Sequence, residues 1–158
     1  MILIKNNVTF YRNLKFFIER YVMNWYKKAQ TKETKEIVAA TIIINNNKAL
    51  ILKRGPTAPW MPNKWNLAGG EVENNENIQS AAIRECKEES GLSITNLKLF
   101  KTFKDPDFDL YIFQAKTNNT NVNMNFENSE YAWVTVNDLP KYDFVPYVKE
   151  AITQLLNT

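Results

Sequence analysis

Three glutamates in the middle of the chain are spaced so that a helix would bring them to one face. Glu85, Glu88 and Glu89 are one to four residues apart, and at about 100° per residue they share a stripe. The same stripe begins with apolar residues one and two turns earlier: Ile78, Ala81 and Ala82. Carboxylates at this spacing repel one another, and burial would add a desolvation cost. Either water solvates the face, or a divalent cation neutralises it.

The residue types present restrict the available chemistry. The chain has no histidine and one cysteine, Cys86. Ser-His-Asp and Cys-His nucleophilic sites are therefore excluded within one chain, and so are zinc sites that need imidazole. Any metal must be held by carboxylate and carbonyl oxygens, which suit Mg²⁺, Mn²⁺ or Ca²⁺. A single cysteine forms no internal disulfide, which favours a reducing, cytoplasmic setting.

Strand and helix signals along the sequence predict the elements around these glutamates. A helix is predicted at 76–90, with Asn74 or Asn75 as N-cap and Gly91 after its last turn. A last helix is predicted at 146–156. Strands are predicted at 36–45, 48–54, 65–68, 97–104, 110–117 and 131–136. This order predicts a mixed α/β fold rather than alternating βαβ units.

The N-terminal segment differs from the rest of the chain in charge. The 158 residues suffice for one domain with its own core. Residues 1–35 carry an excess of Lys and Arg, whereas 36–158 are mildly acidic. Apolar residues between Phe10 and Ala29 recur every three or four positions, which predicts a basic amphipathic helix. Such a helix could dock on the domain, on a second copy in a homodimer, or on an anionic partner.

Two further expectations concern the whole chain. No apolar run approaches the roughly 20 residues of a transmembrane helix, and no secretory signal is expected. Met23 could be the native start, in which case residues 1–22 would be upstream sequence.

The segment from Gly70 to Leu92 resembles the Nudix box. The pattern is Gly, five residues, Glu, seven residues, then Arg-Glu-aliphatic-any-Glu-Glu-any-Gly-aliphatic. The chain supplies these positions as Gly70, Glu76, Arg84, Glu85, Cys86, Glu88, Glu89, Gly91 and Leu92. Cys86 stands where an aliphatic residue is usual, and we interpret it as a small buried hydrophobe.

The resemblance extends beyond the box to both flanks. Residues 65–70 are similar to the family's entry strand, with Ala68 where proline is commoner, and 130–140 are similar to its late strand and turn. We therefore interpret 36–158 as a Nudix hydrolase domain and 1–35 as an additional helix and linker. The resemblance implies an α/β/α sandwich around a mixed sheet, to which the N-terminal amphipathic helix would be added.

The resemblance also implies roles for the box residues. Glu85, Glu88 and Glu89 would bind Mg²⁺, or Mn²⁺ in its place, together with the carbonyl of Gly70. A water molecule would then attack one phosphorus of a diphosphate. Arg84 would orient a catalytic glutamate, with Glu76 as its companion.

Three glutamates are candidates for the general base. Glu85 lies within the box, while Glu127 and Glu130 precede the predicted late strand. Of the two residues outside the box we favour Glu130, because it is adjacent to that strand. An exposed loop acid without a catalytic role is the plain alternative.

The substrate-side residues carry a weaker signal. Lys53 and Arg54 end a predicted strand and could hold phosphate. Trp65 and Phe144, with Trp60 and Tyr147, could stack a nucleobase, although aromatic residues also form ordinary core.

The expected activity is hydrolysis of a nucleoside diphosphate derivative or of a nucleoside triphosphate, including an oxidised one. A nucleotide sensor without turnover is one alternative, although the intact glutamate triplet argues against it. An RNA 5′-end or cap hydrolase is another, which the basic N-terminal segment permits but does not favour. A diphosphate isomerase is disfavoured because that chemistry would need histidine.

Overall fold

The computed structural model describes residues 35–158. The helix predicted within residues 10–29 and the alternative start at Met23 lie outside these residues. The described residues form seven strands, two α-helices and one 3₁₀ helix: β1 (Glu36–Asn45), β2 (Lys48–Arg54), β3 (Trp65–Asn66), β4 (Ala68–Glu71), α1 (Ile78–Ser90), β5 (Lys98–Lys104), β6 (Phe108–Lys116), β7 (Asn128–Val134), the 3₁₀ helix (Val136–Lys141) and α2 (Val148–Leu156).

The strands form one mixed sheet with β1 near its centre. β1 runs parallel to β6 from Glu36↔Phe108 to Ile44↔Lys116, and β5 pairs antiparallel with β6. On its other side β1 meets β2 at the hairpin end and then pairs with β4. β2 pairs with β3 and β7. The polypeptide therefore crosses from β2 to β1 between β3 and β4.

Each face of the sheet is covered by one helix. The core under α1 includes Ala39, Ile43, Leu50, Leu52, Ala81, Ala82 and Cys86. The core under α2 includes Ala40, Ile42, Ala49, Ile51, Val148, Ala151 and Ile152. Neighbouring residues of β1 and β2 belong to opposite cores, as the twofold alternation of a strand requires. This arrangement confirms the predicted α/β/α sandwich for residues 35–158.

The structure corrects several predicted boundaries. The strand predicted at 65–68 is two short strands separated by Leu67. Helix α1 begins at Ile78, and its N-cap is Asn77, whose side chain accepts a hydrogen bond from the Gln79 N–H at 2.9 Å. The predicted caps, Asn74 and Asn75, lie in the preceding turn, where Asn75 has a φ of 65°. Sequence spacing alone did not distinguish among the asparagines in this stretch.

The end of α1 agrees with the predicted boundary, whereas β7 starts earlier than predicted. Gly91 follows α1 with a φ of 72°, in the left-handed region that glycine favours, as predicted. β7 begins at Asn128 rather than at Tyr131, because its first residues pair with the end of β2. Among residues 35–158, no helix combines the length and apolar character needed to cross a bilayer.

Candidate active site

Two glycines bring the backbone of β4 into close contact with β1 and α1. Gly69 and Gly70 pair with Ala40 and Ala39. A Cβ on Gly69 would lie 2.5 Å from the Ala39 carbonyl oxygen. A Cβ on Gly70 would lie 2.5 Å from Oε1 of Glu85. The absence of side chains at both positions therefore lets a carboxylate of α1 rest directly on the strand.

Helix α1 presents its acidic residues at graded depths. Its apolar stripe is anchored by Ala81, Ala82 and Cys86, which are fully buried. Glu89 is 7% exposed, the Glu85 side chain is 13% exposed, and that of Glu88 is 54% exposed. The face that the sequence predicts to be triply acidic thus runs from the core to the surface.

Glu89 is a buried carboxyl group held by neutral donors. The Gly69 N–H donates to its Oε2 at 3.0 Å. Burial raises the pKa of Glu89 to about 8, and the charges of Glu85 and Glu127 act in the same direction. Hydrogen bonds from Gly69 and Asn128 oppose this shift only in part. The environment of Glu89 therefore favours either a proton or a cation close to its oxygens.

Arg84 connects the acidic residues of the box. Its Nε and Nη2 donate to the two carboxylate oxygens of Glu76, each at 3.0 Å. Its Nη1 donates to Glu85 at 2.6 Å and to Glu88 at 3.2 Å, and its Nη2 also reaches the Glu71 carbonyl at 3.1 Å. The planar guanidinium thereby fixes the orientation of three carboxylates, which a flexible ammonium group cannot reproduce.

The pKa values of the two carboxyl groups nearest Arg84 are shifted in opposite directions, because Glu85 is more deeply buried than Glu76 is. The hydrogen bonds from Arg84 lower the pKa of Glu76. Burial raises the pKa of Glu85, even though Arg84 opposes the change. The deeper carboxyl group is therefore incompletely neutralised by the protein.

The donors present fit a hard divalent cation. They are the carboxylates of Glu85, Glu88 and Glu89 together with the backbone of Gly70, so the ligand atoms would all be oxygen. Within residues 35–158, no three acidic side chains already stand in a metal-holding cluster, and Arg84 supplies the positive charge to Glu85 and Glu88. Glu89, which is buried among neutral donors, lacks such a partner among the contacts described above. Mg²⁺ or Mn²⁺ is chemically compatible with this set.

The two candidate acids outside the box are placed differently, because Glu127 lies in the loop before β7 and Glu130 lies on β7 itself. Glu130 forms an ion pair with Lys53 at 2.6 Å. On β7 it has the same parity as Ala132 and Val134, which pack in the core under α2. The structure therefore does not bring Glu130 to the carboxylates of α1.

Glu127 lies closer to the acidic face of α1. Its charge raises the pKa of both Glu85 and Glu89. Its backbone carbonyl accepts a hydrogen bond from the Gly55 N–H at 2.7 Å. The loop before β7 is thus tied to the end of β2 next to the box.

The predicted substrate-side residues fall into two groups. Arg54 donates from Nε to the Trp60 carbonyl at 2.8 Å, and its guanidinium carbon lies 5.5 Å from the centre of the Trp60 ring. Trp65 and Phe144 form a β-bridge with each other and pack against the core under α2. Trp65 and Phe144 are thus wall residues, whereas Trp60 is 44% exposed.

Two contributors to the site were not predicted from the sequence. The side chain of Asn128 lowers the pKa of Glu89, and the Glu71 carbonyl accepts from Arg84. Asn128 follows several other asparagines, so composition gave no reason to single it out. The contact of Glu71 is made by its backbone carbonyl, which every residue type has, so the sequence could not indicate it.

Comparison with known proteins identifies a shared family and a shared fold. The family model of the NUDIX domain matches residues 35–155. The nucleoside triphosphatase NudI of Escherichia coli O139:H28 is 32% identical over 121 residues, covering 67% of this chain and 86% of that protein. The NudI protein of Klebsiella pneumoniae (strain 342) is 31% identical over 133 residues, covering 74% and 94%.

Solved structures show the same architecture. A NUDIX hydrolase from Nitrosomonas europaea matches with a TM-score of 0.71 and 22% identity, covering 80% of this chain and 73% of that one. The MutT protein from Methanosarcina mazei Go1 matches with a TM-score of 0.64 and 20% identity, covering 81% and 96%. At these identities the two structures show the fold alone.

Proposed function

Because this chain belongs to the Nudix family of hydrolases and is a pyrophosphohydrolase of that type, we propose that it hydrolyses a diphosphate linkage in a nucleotide, with Mg²⁺ as its ion. The substrate class we propose is a nucleoside triphosphate, canonical or oxidised, or a nucleoside diphosphate derivative. The naming of the NudI relatives as nucleoside triphosphatases supports the first of these. One observation carries the proposal: two carboxyl groups of α1 lie against β4, where Glu89 accepts from the Gly69 N–H and Glu85 packs on Gly70.

The box residues would hold the ion. Glu85, Glu88 and Glu89 provide carboxylate oxygens and Gly70 provides its carbonyl. When bound, the ion would offset the negative charge of the diphosphate and make a water molecule more acidic. Arg84 holds Glu85 and Glu88 in position while its paired hydrogen bonds to Glu76 prevent it from rotating away.

We propose Glu127, rather than Glu130, as the loop acid that removes a proton from the attacking water. A general base must lie within reach of that water, and Glu127 is close enough to the α1 carboxylates to raise their pKa values. Glu130 is held by Lys53. Glu85 stays the alternative within the box.

Arg54 is the residue we propose for holding a phosphate on the substrate side. Gly55 follows it directly and hydrogen-bonds to Glu127, which places the end of β2 beside the acidic site. Lys53 is paired with Glu130 and shares its face of the sheet, so we assign it no contact with a phosphate at the α1 carboxylates. Trp65 and Phe144 would shape the cleft wall.

A panel of compounds tests the activity. Release of phosphate or pyrophosphate with Mg²⁺ would be measured for canonical and oxidised deoxynucleoside triphosphates, ADP-ribose, dinucleoside polyphosphates and 5′-triphosphate RNA. We expect the wild type to turn over a nucleotide and Glu88→Gln to lose about 10²-fold or more in rate. Glu150→Gln is the matched control, because Glu150 is an exposed acid on α2 paired with Lys101.

Two results would contradict the proposal. If no compound is hydrolysed but a nucleotide raises the melting temperature, the chain is a nucleotide sensor rather than an enzyme. If Glu88→Gln retains the wild-type rate, the box carboxylates do not hold the reacting ion.

A second pair of variants separates the loop acids. Glu127→Gln should lower kcat by about 10²-fold if Glu127 is the base, whereas Glu130→Gln should lose the ion pair with Lys53 and affect kcat by less than about threefold. The opposite ranking would assign the base to Glu130.

A further inference from the structure

The loop before β7 displays an aromatic side chain almost completely to solvent. Phe126 is 94% exposed, against 54% for Leu99 and 44% for Trp60. Scattered exposed hydrophobic residues are ordinary on protein surfaces. Phe126 differs from them in its position, because it immediately precedes Glu127.

The backbone around Phe126 is fixed by hydrogen bonds. The side-chain oxygen of Asn125 accepts from the Glu127 N–H at 3.1 Å and from the Asn128 side chain at 3.5 Å. The Gly55 N–H donates to the Glu127 carbonyl at 2.7 Å. The loop is therefore an Asx turn whose backbone is held against the end of β2.

Gly55 makes this close approach to the loop achievable. A Cβ at position 55 would lie 3.0 Å from the Glu127 carbonyl oxygen and 4.0 Å from that of Phe126. A larger residue would push the loop away from β2. Gly55 after β2 and Asn125 before Phe126 therefore both hold the backbone of Glu127 in place.

Residues 54–55 and 126–127, joined by the hydrogen bond between Gly55 and Glu127, bring together three features suited to a nucleotide. Arg54, next to Gly55, supplies a guanidinium that lies over the Trp60 ring. Glu127 adds its charge to the Glu85 and Glu89 site. An exposed ring on a hydrogen-bonded backbone and a cation therefore occur on two adjacent segments, next to an acidic face suited to a divalent ion.

We propose that Phe126 is a specificity-determining residue on which the nucleobase of the substrate stacks while its phosphates engage Arg54 and the α1 carboxylates. The proposal rests on the hydrolase function proposed above. Stacking on an aromatic side chain accepts any base, since every base has a π-face. Phe126 thus distinguishes nucleotides from phosphate compounds without a base, and it discriminates little among bases.

The test compares a nucleotide with its analogue that lacks the base. The probes are a deoxynucleoside triphosphate and its tetrahydrofuran analogue, which keeps the triphosphate and a sugar ring. The variants are Phe126→Ala, Phe126→Trp and, as an exposed apolar control on β5, Leu99→Ala. Kinetics with Mg²⁺ and calorimetric binding with Ca²⁺ would be measured for both probes.

The proposal predicts a specific pattern. Phe126→Ala should raise KM for the nucleotide about tenfold to hundredfold, with kcat changed less than about threefold. The same variant should leave the KM of the base-free analogue unchanged. Phe126→Trp should restore or improve nucleotide binding, and Leu99→Ala should match the wild type.

Other outcomes identify which proposal fails. An unchanged nucleotide KM in Phe126→Ala, with activity intact, overturns stacking and leaves the hydrolase function standing. Base-dependent binding that Phe126→Ala abolishes, in a protein without turnover, supports stacking and overturns the hydrolase function. Absence of both binding and turnover in the wild type overturns both. A change in oligomeric state on Phe126→Ala, seen by size-exclusion chromatography, would assign the ring to an interface between copies and overturn the proposal.

Discussion

Replacing Glu89 by glutamine should stabilise the metal-free protein at alkaline pH while it removes a metal ligand. Burial raises the pKa of Glu89 from 4.5 to about 8 in the folded protein. Between these values the folded state binds a proton that the unfolded state has lost. The stability linked to this group is therefore complete below about pH 4.5, falls as the pH rises, and is lost above about pH 8.

The magnitude follows from one proton per molecule. The slope is about 1.4 kcal/mol per pH unit, so between about pH 6 and 8.5 the wild type should lose on the order of 2–3 kcal/mol. For a domain of this size that corresponds to a melting temperature lower by roughly 5–10 °C. The chain has no histidine, so no side chain with an ordinary pKa titrates between about pH 6 and 8 to obscure the effect.

The assay is thermal unfolding followed by circular dichroism in the presence of a chelator. We expect the wild type to show the pH-dependent loss and Glu89→Gln to show little of it, because glutamine carries no titrating proton. In the wild type, Mg²⁺ should raise the melting temperature more at about pH 8.5 than at about pH 6, since the cation takes the place of the proton. Parallel pH profiles for the two proteins would refute the reasoning.

Changes at the two glycines, at Arg84 and at Cys86 test how α1 packs against β4. Gly70→Ala should keep most of its stability, because the flexible carboxyl group of Glu85 can move, but kcat should fall about tenfold or more. Gly69→Ala should instead unfold at a lower denaturant concentration, because the added Cβ would clash with the backbone of β1. Arg84→Lys should lower kcat about tenfold or more with little change in KM, since the single ammonium group of lysine cannot make all the hydrogen bonds of the planar guanidinium. Cys86, with a pKa raised by burial to about 12, should react with a thiol reagent at about pH 8 only after unfolding, and rapid labelling of the native protein would contradict its burial.

The sequence predicted the elements and the box because both depend on residue type at fixed spacing. The Gly70–Leu92 pattern identified which helix would carry the acids, and the buried Ala81, Ala82 and Cys86 confirm its apolar stripe. Cys86 is fully buried, as its interpretation as a small hydrophobe required.

The remainder depended on pairing between distant segments. The sequence placed Glu130 beside a strand but could not give the parity of β7 or its ion pair with Lys53. The proximity of Glu127 to α1 arises because its carbonyl bonds to Gly55, which lies 72 residues earlier in the numbering. The N-cap was missed for a more local reason, since several asparagines near the start of α1 are equivalent by type.

The crossing from β2 to β1 has a consequence for how the site opens. Leu67 alone separates β3 from β4, it is 1% exposed, and its N–H bonds to the Asn66 side chain at 2.8 Å. The connection between β3, which pairs with β2, and β4, which pairs with β1, is therefore only one residue long. The Gly69 amide should exchange its hydrogen with solvent slowly, because exposing it requires the buried carboxyl group of Glu89 to move away from β4.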